Sequence, residues 1–239
     1  MRTVPDSTVG EVIAAGTTTF TAQCPRQLLH RPPVFGAFVR VVPGTDRARV
    51  VNNDPSAESA APAADVDDPF ADPVTRAMEL PAGAVDETLY AIVYSAGTGS
   101  AEPGRRPTAY GLEEEQLRQE QPQIFDLLAT EFSALHIGYA RGERFRAGIP
   151  PRPARLHAAV TECDPQEVCA LTDAPEFLRT LVNSSGDAAT DELIVACIQR
   201  AYDCRGENYA YLVRAGKQLA VLLRDDPDRL TALLNRLGP

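Results

Sequence analysis

The sequence predicts an α+β protein, a small N-terminal β-barrel followed by a C-terminal α-helical domain. Three observations predict it. Short runs of β-branched and apolar residues separated by glycines fill the first 45 residues, "DETLYAIVYSAG" continues that pattern later in the chain, and from residue 164 onward the apolar periodicity is helical. The expected domain map is a β domain over 1–110, interrupted by an acidic insertion at 52–85, a mixed helix/strand extension of that domain over 111–163, and a helical domain over 164–239.

In chain order, "TVGEVIAAGTTTFTAQCP" gives two strands with Gly10 and Gly16 as punctuation. Gly36, after the double proline of "RPPVFGAFVRVV", marks a turn into a strand carrying Phe38, Val39, Val41 and Val42. Residues 52–75 are rich in Ala, Asp, Pro and Ser and contain one aromatic, too little apolar surface to offset the entropy of ordering, so a mobile segment is expected there. "GLEEEQLRQEQPQIFDLLATEFSALHIGYARG" reads as a helix, Pro122, a short second helix and a strand.

Two helix starts follow, "DPQE" from Asp164 and "DAPE" from Asp173, each with an N-cap acceptor, a first-turn proline and a glutamate at the third helical position. Three amphipathic helices complete the chain. Their expected core stripes are Leu193, Ile194, Cys197, Ile198 and Ala201, then Tyr209, Leu212, Val213, Gly216, Leu219 and Leu223, and last, behind an Asp226 cap, Leu230, Leu233, Leu234 and Leu237.

Composition bounds the function. The 239 residues carry a net charge of −10, distributed as +3 over residues 1–50, −8 over 51–100 and −5 over the remainder. The acidic balance therefore belongs mainly to one segment and leaves basic stretches elsewhere. No stretch is apolar enough to span a bilayer and the N-terminus lacks the apolar core of a secretory signal, so a cytoplasmic protein with no membrane partner is expected. Five cysteines, none in Cys-x-x-Cys spacing, read as reduced and mostly buried thiols.

The stretch "GTGSAEPGRRP" tests for a phosphate-binding loop. Gly99 and Gly104 have the Walker spacing, but Arg105 stands where the lysine belongs and Arg106 where the magnesium-binding hydroxyl belongs, while Pro103 removes a backbone donor. No nucleotide and no other cofactor is expected. Gly97, Gly99 and Gly104 instead suggest a turn or close backbone approach, and Arg105 and Arg106 a contact to phosphate, carboxylate or a partner. "YARGERFRAGIPPRPAR" adds Arg141, Arg144, Arg146, Arg152 and Arg155 against Glu143 alone. His136 and His157 lie in apolar, strand-like runs and read as core histidines, and no catalytic or metal-binding constellation emerges.

"VGEVIAAGTTTFTAQC", "PPVFGAFVRV" and "LYAIVYSAGTGSAEPGRRPTA" together resemble the HAS barrel, the small β-barrel of HerA-type DNA-translocating ATPases and of F-type ATP synthase subunits, over roughly residues 6–110. The remainder resembles stand-alone bacterial HAS-barrel proteins. In the ATPases the barrel helps to assemble the ring, and HerA works with the NurA nuclease in DNA end processing. The chain lacks a Walker motor and a placeable nuclease cluster, so the resemblance implies a non-catalytic accessory or docking protein for a HerA-like ATPase or NurA-type nuclease in DNA processing or repair. Direct nucleic-acid binding by the arginine-bearing loops is the first alternative, and an uncharacterised hydrolase the second. Homo-oligomerisation is left open by the sequence.

Overall fold

The structure, a computed structural model, describes residues 8–42, 87–102, 104, 107–142, 144–173, 176–184 and 190–237. The expected acidic insertion at 52–85 lies outside them. Seven strands form one antiparallel sheet: β1 (Thr8–Ala15), β2 (Thr19–Gln23), β3 (Phe38–Val41), β4 (Glu87–Ser100), β5 (Leu128–Arg141), β6 (Arg144–Ala147) and β7 (Ala159–Glu162). Their order is β2-β1-β7-β3-β4-β5-β6, and an additional β2–β5 ladder closes the first six into a barrel. The N-terminal 110 residues supply four of the barrel strands, and closure comes from β5 and β7 in the following segment. β6 stays outside the ring, paired to β5 over Gly138–Arg141, beyond the stretch of β5 that pairs with β2.

Alternation sends Val12, Phe20, Ala22, Val39, Val41, Leu89, Ala91, Val93, Phe132, Ala134 and Val160 into the barrel. Valines and alanines fill most of the rest because two phenylalanines already take much of the narrow interior; Phe20 and Phe132 meet edge to face at 6.5 Å. Gly10 lies within β1 and marks no turn. A Cβ there would stand 2.7 Å from the Phe132 ring, so the glycine makes room for the aromatic. Two β-bulges, at Tyr94 in β4 and Ile137 in β5, shift the register. Each turns its extra side chain outward onto the helices.

The helices are α1 (Glu114–Glu120) and α2 (Gln123–Asp126) between β4 and β5, then α3 (Pro165–Asp173), α4 (Glu176–Asn183), α5 (Thr190–Asp203), α6 (Tyr209–Leu222) and α7 (Pro227–Leu237). The start of α3 is a reciprocal capping box: Glu167 N–H donates to Asp164 Oδ1 at 2.8 Å, and Asp164 N–H donates to Glu167 Oε2 at 3.0 Å. Asp173, the second expected cap, is the last residue of α3 and turns its carboxylate to Arg205 and Arg214, while residues 174 and 175 of the turn it was expected to cap lie outside the described residues. The α7 cap is present, with Arg229 N–H donating to Asp226 Oδ1 at 3.1 Å.

A second core binds α3–α7 to the outer face of β3, β4 and β5. Phe38, Ile92, Ile137 and Cys163 from the barrel share it with Phe177, Leu178, Leu181, Ile194, Cys197, Ile198 and Leu219. Strand β3 is thereby buried on both faces. Gly36 sits at the seam with φ +78°, and a Cβ there would stand 2.8 Å from the Ala196 methyl on α5. Arg40 on β3 pairs with Glu167 of the α3 capping box and donates to Thr161 Oγ1 at 3.0 Å. Arg205, its side chain 10% exposed, donates to Thr172 Oγ1, Ala201 O, Cys169 O and Asp173 Oδ1 and covers the Tyr211 ring at 4.2 Å. One guanidinium thus ties α3, α5 and α6 together.

The predicted α5 stripe is buried as expected. The α6 stripe is displaced. Tyr211, Ala215, Leu219 and Leu223 point inward, while Tyr209 is 62% and Val213 42% exposed. Leu234 of α7, expected in the core, is exposed too. These helices carry apolar residues on more than one face, and periodicity alone does not select which face the neighbours cover.

Candidate interaction site

Gly97 and Gly99 are strand residues. They pair with Glu131 and Ala129 on β5, and nothing lies within 4 Å of a Cβ built at either position. The expected turn therefore begins later than the sequence suggests, because β4 continues to Ser100 under its ladder with β5. Gly104 does take a left-handed φ of +79°. Arg105 and Arg106 lie outside the described residues. Of the two Walker-spaced glycines, Gly99 thus lies in a ladder and Gly104 in a turn. Gly97 and Gly99 instead floor a shallow polar groove of about 390 Å³ that Thr21, Ser95, Glu131 and Ser133 also line.

The second arginine group gathers at one end of the barrel. Arg141 ends β5, Arg144 and Arg146 lie on β6, and Arg152 and Arg155 lie on the connection from β6 to β7. That connection crosses the barrel end and places Ala154 and Ala158 in the interior core, so the flanking arginines face outward. On β6, alternation puts Arg144 and Arg146 on one face and Phe145 on the other, where it packs on Tyr90 at 5.8 Å. Gly138 allows this packing, since a Cβ there would lie 2.4 Å from the Phe145 ring.

The five arginines are not equivalent. Arg141 donates through Nε to Glu87 Oε1 at 2.5 Å across the β4–β5 ladder and is neutralised there. Sequence reasoning missed this because Glu87 lies 54 residues away. Arg144, Arg146, Arg152 and Arg155 are exposed and make no ion pair or side-chain hydrogen bond with the described residues. Four unpaired guanidiniums at one end of a barrel suit an anionic surface such as a phosphate backbone or an acidic protein face.

Among the described residues, one groove brings a cysteine, a histidine and a carboxylate together. A groove on the outer side of β1 and β2 is lined by Cys24, Glu11 and His157, and His157 Nδ1 lies 2.6 Å from Glu11 Oε1. His157 is a loop residue with φ +63° and an exposed ring, contrary to the expectation of a core histidine. Cys24, however, is 7% exposed, and burial pushes its thiol up to about 11, with no cation beside it. A thiol so held is protonated at neutral pH and does not attack. His136 is the core histidine, its ring tilted against that of Phe20 at 5.4 Å; neither ring nitrogen has a hydrogen-bond partner among the described residues, and burial holds its pKa down to about 4.

Among the described residues, no three His, Cys, Asp or Glu side chains gather as a metal site, and no helix is long and apolar enough to cross a membrane. The class defined by these features is a closed six-stranded barrel with a helical layer on one side and an arginine-bearing end. No protein-family model matches the chain, and no curated protein matches it at a significant level.

Proposed function

We propose that the chain is a non-catalytic accessory protein that docks on a HerA-like ATPase, or on the NurA-type nuclease that works with it, in DNA processing or repair. The closed six-stranded barrel supports this, because its helical layer covers the β3–β4–β5 side and, among the described residues, leaves the arginine end uncovered. Docking by such an end needs charge complementarity and no chemistry of its own. Affinity capture from the native host tests the proposal. Recovery of a DNA-translocating ATPase or nuclease, lost on charge reversal of Arg144 and Arg146, is the expected result; recovery of metabolic enzymes only would overturn it.

Direct nucleic-acid binding is the second reading, favoured by the four unpaired arginines. It requires an affinity for single- or double-stranded DNA that falls steeply with salt as counterions are released. Fluorescence anisotropy across a salt series decides it, and binding that is absent or insensitive to salt rejects it.

A further inference from the structure

Strand β6 is the last strand of the sheet, outside the ring, and its second edge has no ladder partner among the described residues. Which backbone groups that edge presents follows from the register. Arg144 pairs with Arg141 and Arg146 with Tyr139, and just past the strand Gly148 N–H donates to Ile137 O at 2.9 Å, so hydrogen bonding to β5 runs through residues 144, 146 and 148. The N–H and C=O of Phe145 and Ala147 therefore point away from β5, to the open edge, and take no partner there among the described residues. The strand is fixed from its other side, because Phe145 packs on Tyr90 and fills the space that Gly138 leaves. The charges beside this edge are incomplete in one direction. Glu87 of β4, Arg141 of β5 and Arg144 of β6 stand directly opposite one another in successive ladders, hence on one face, and Arg141 gives its charge to Glu87. Arg144 ends the row without a carboxylate, and Arg146, two residues on and on the same face, has none either among the described residues.

We infer that the arginine end takes an extended acidic segment of a partner protein, added to β6 as a further antiparallel strand with carboxylates opposite Arg144 and Arg146 and an apolar residue opposite Phe145. This rests on the docking reading of that end and names the chemistry of what docks. Charge complementarity sets the acidic positions, since the next strand in the row must supply the carboxylate that Arg144 and Arg146 lack, as Glu87 supplies it to Arg141. The backbone selects a polypeptide. A strand donates N–H groups to the Phe145 and Ala147 carbonyls and accepts from their N–H groups, whereas the phosphate oxygens of a nucleic acid accept only and leave the carbonyls unanswered. Ile149, two residues past the strand and 60% exposed, adds an apolar contact that a phosphate backbone has no use for. Every ladder in the sheet is antiparallel, and the added strand follows suit. The segment recognised therefore alternates acidic and β-branched apolar residues.

Fluorescence anisotropy of the full chain with a labelled synthetic peptide of alternating glutamate and valine tests this. The peptide is expected to bind, and a peptide of the same composition with its glutamates and valines in separate blocks to bind at least about tenfold more weakly. In the antiparallel register the valine N–H groups face β6 and the glutamate N–H groups face solvent, so N-methylation of the valines should abolish binding and N-methylation of the glutamates should leave it within about twofold. Arg144→Glu with Arg146→Glu should abolish it as well. Ala147→Pro removes an N–H that the fold does not use, so it should keep the melting temperature and every arginine yet weaken the peptide about tenfold or more. Binding that ignores Ala147→Pro or the position of the methyl groups overturns the inference, because the contact is then charge alone. Absence of peptide binding overturns it too, including the case in which DNA binds instead. Capture of an ATPase or nuclease that survives Ala147→Pro would overturn this inference and leave the docking proposal standing, while edge-dependent peptide binding with no ATPase or nuclease recovered would do the reverse.

Discussion

The barrel and the helical layer are filled with different material. The barrel interior packs Ala22, Ala37, Ala91, Ala134, Ala154 and Ala158 around Phe20 and Phe132, whereas the helical core is built from leucine, isoleucine and phenylalanine on adjoining stripes. A closed ring fixes its own radius, so alanines and valines must make room for the two phenylalanines. Packed helices can shift and rotate to suit what they carry. The barrel therefore tolerates volume changes less well than the helices do, and changes at the seam should disturb both.

The largest expected loss is in the ring. Phe132→Ala removes a fully buried ring that contacts Phe20 and the Gly10 backbone, in a wall that cannot close on the void, and should cost about 4 kcal/mol in denaturant unfolding. A cost near that of a surface substitution would show that the barrel wall does relax. At the seam, Gly36→Ala puts a methyl against Ala196 and an L-residue at φ +78°. About 3 kcal/mol should be lost in one cooperative transition; two separated transitions would mean that barrel and helices fold independently.

Acid should destabilise the fold through the barrel interior. His136 is held neutral in the fold, its pKa depressed from 6.5 to about 4 by burial. The unfolded chain thus binds the extra proton first, so stability from this group is complete above pH 6.5 and falls as the pH drops towards 4, by about 3 kcal/mol in all. His136→Leu should flatten that part of the pH profile, and an identical profile in the variant would assign the acid sensitivity to other groups. Smaller again is the α3 cap: Asp164→Ala should cost about 1 kcal/mol, seen as increased amide exchange in the first turn of α3 and not in β7. Smallest is the arginine end. Arg144→Ser with Arg146→Ser should change stability by less than about 0.5 kcal/mol while lowering partner or DNA binding; a large stability loss would make these arginines part of the fold.

Strands β1 to β5, the Gly36 turn, the α3 and α7 caps and the α5 stripe were legible because each depends on residues within a few positions of one another: alternation, a left-handed glycine, an acidic cap before proline, a 3.6-residue repeat. The arginine stretch was legible as charge. What the sequence left open were matters settled between residues far apart. Gly97 and Gly99 looked like a turn until β5 supplied a ladder partner, and Arg141 looked free until Glu87 arrived across that ladder. Closure of the ring rests on β2 finding β5 more than a hundred residues away, and the inward face of α6 was chosen by α4, α5 and α7. Short-range backbone preferences are written into neighbouring residues, while pairing, neutralisation and the choice between two apolar faces depend on which distant surfaces the whole chain buries together.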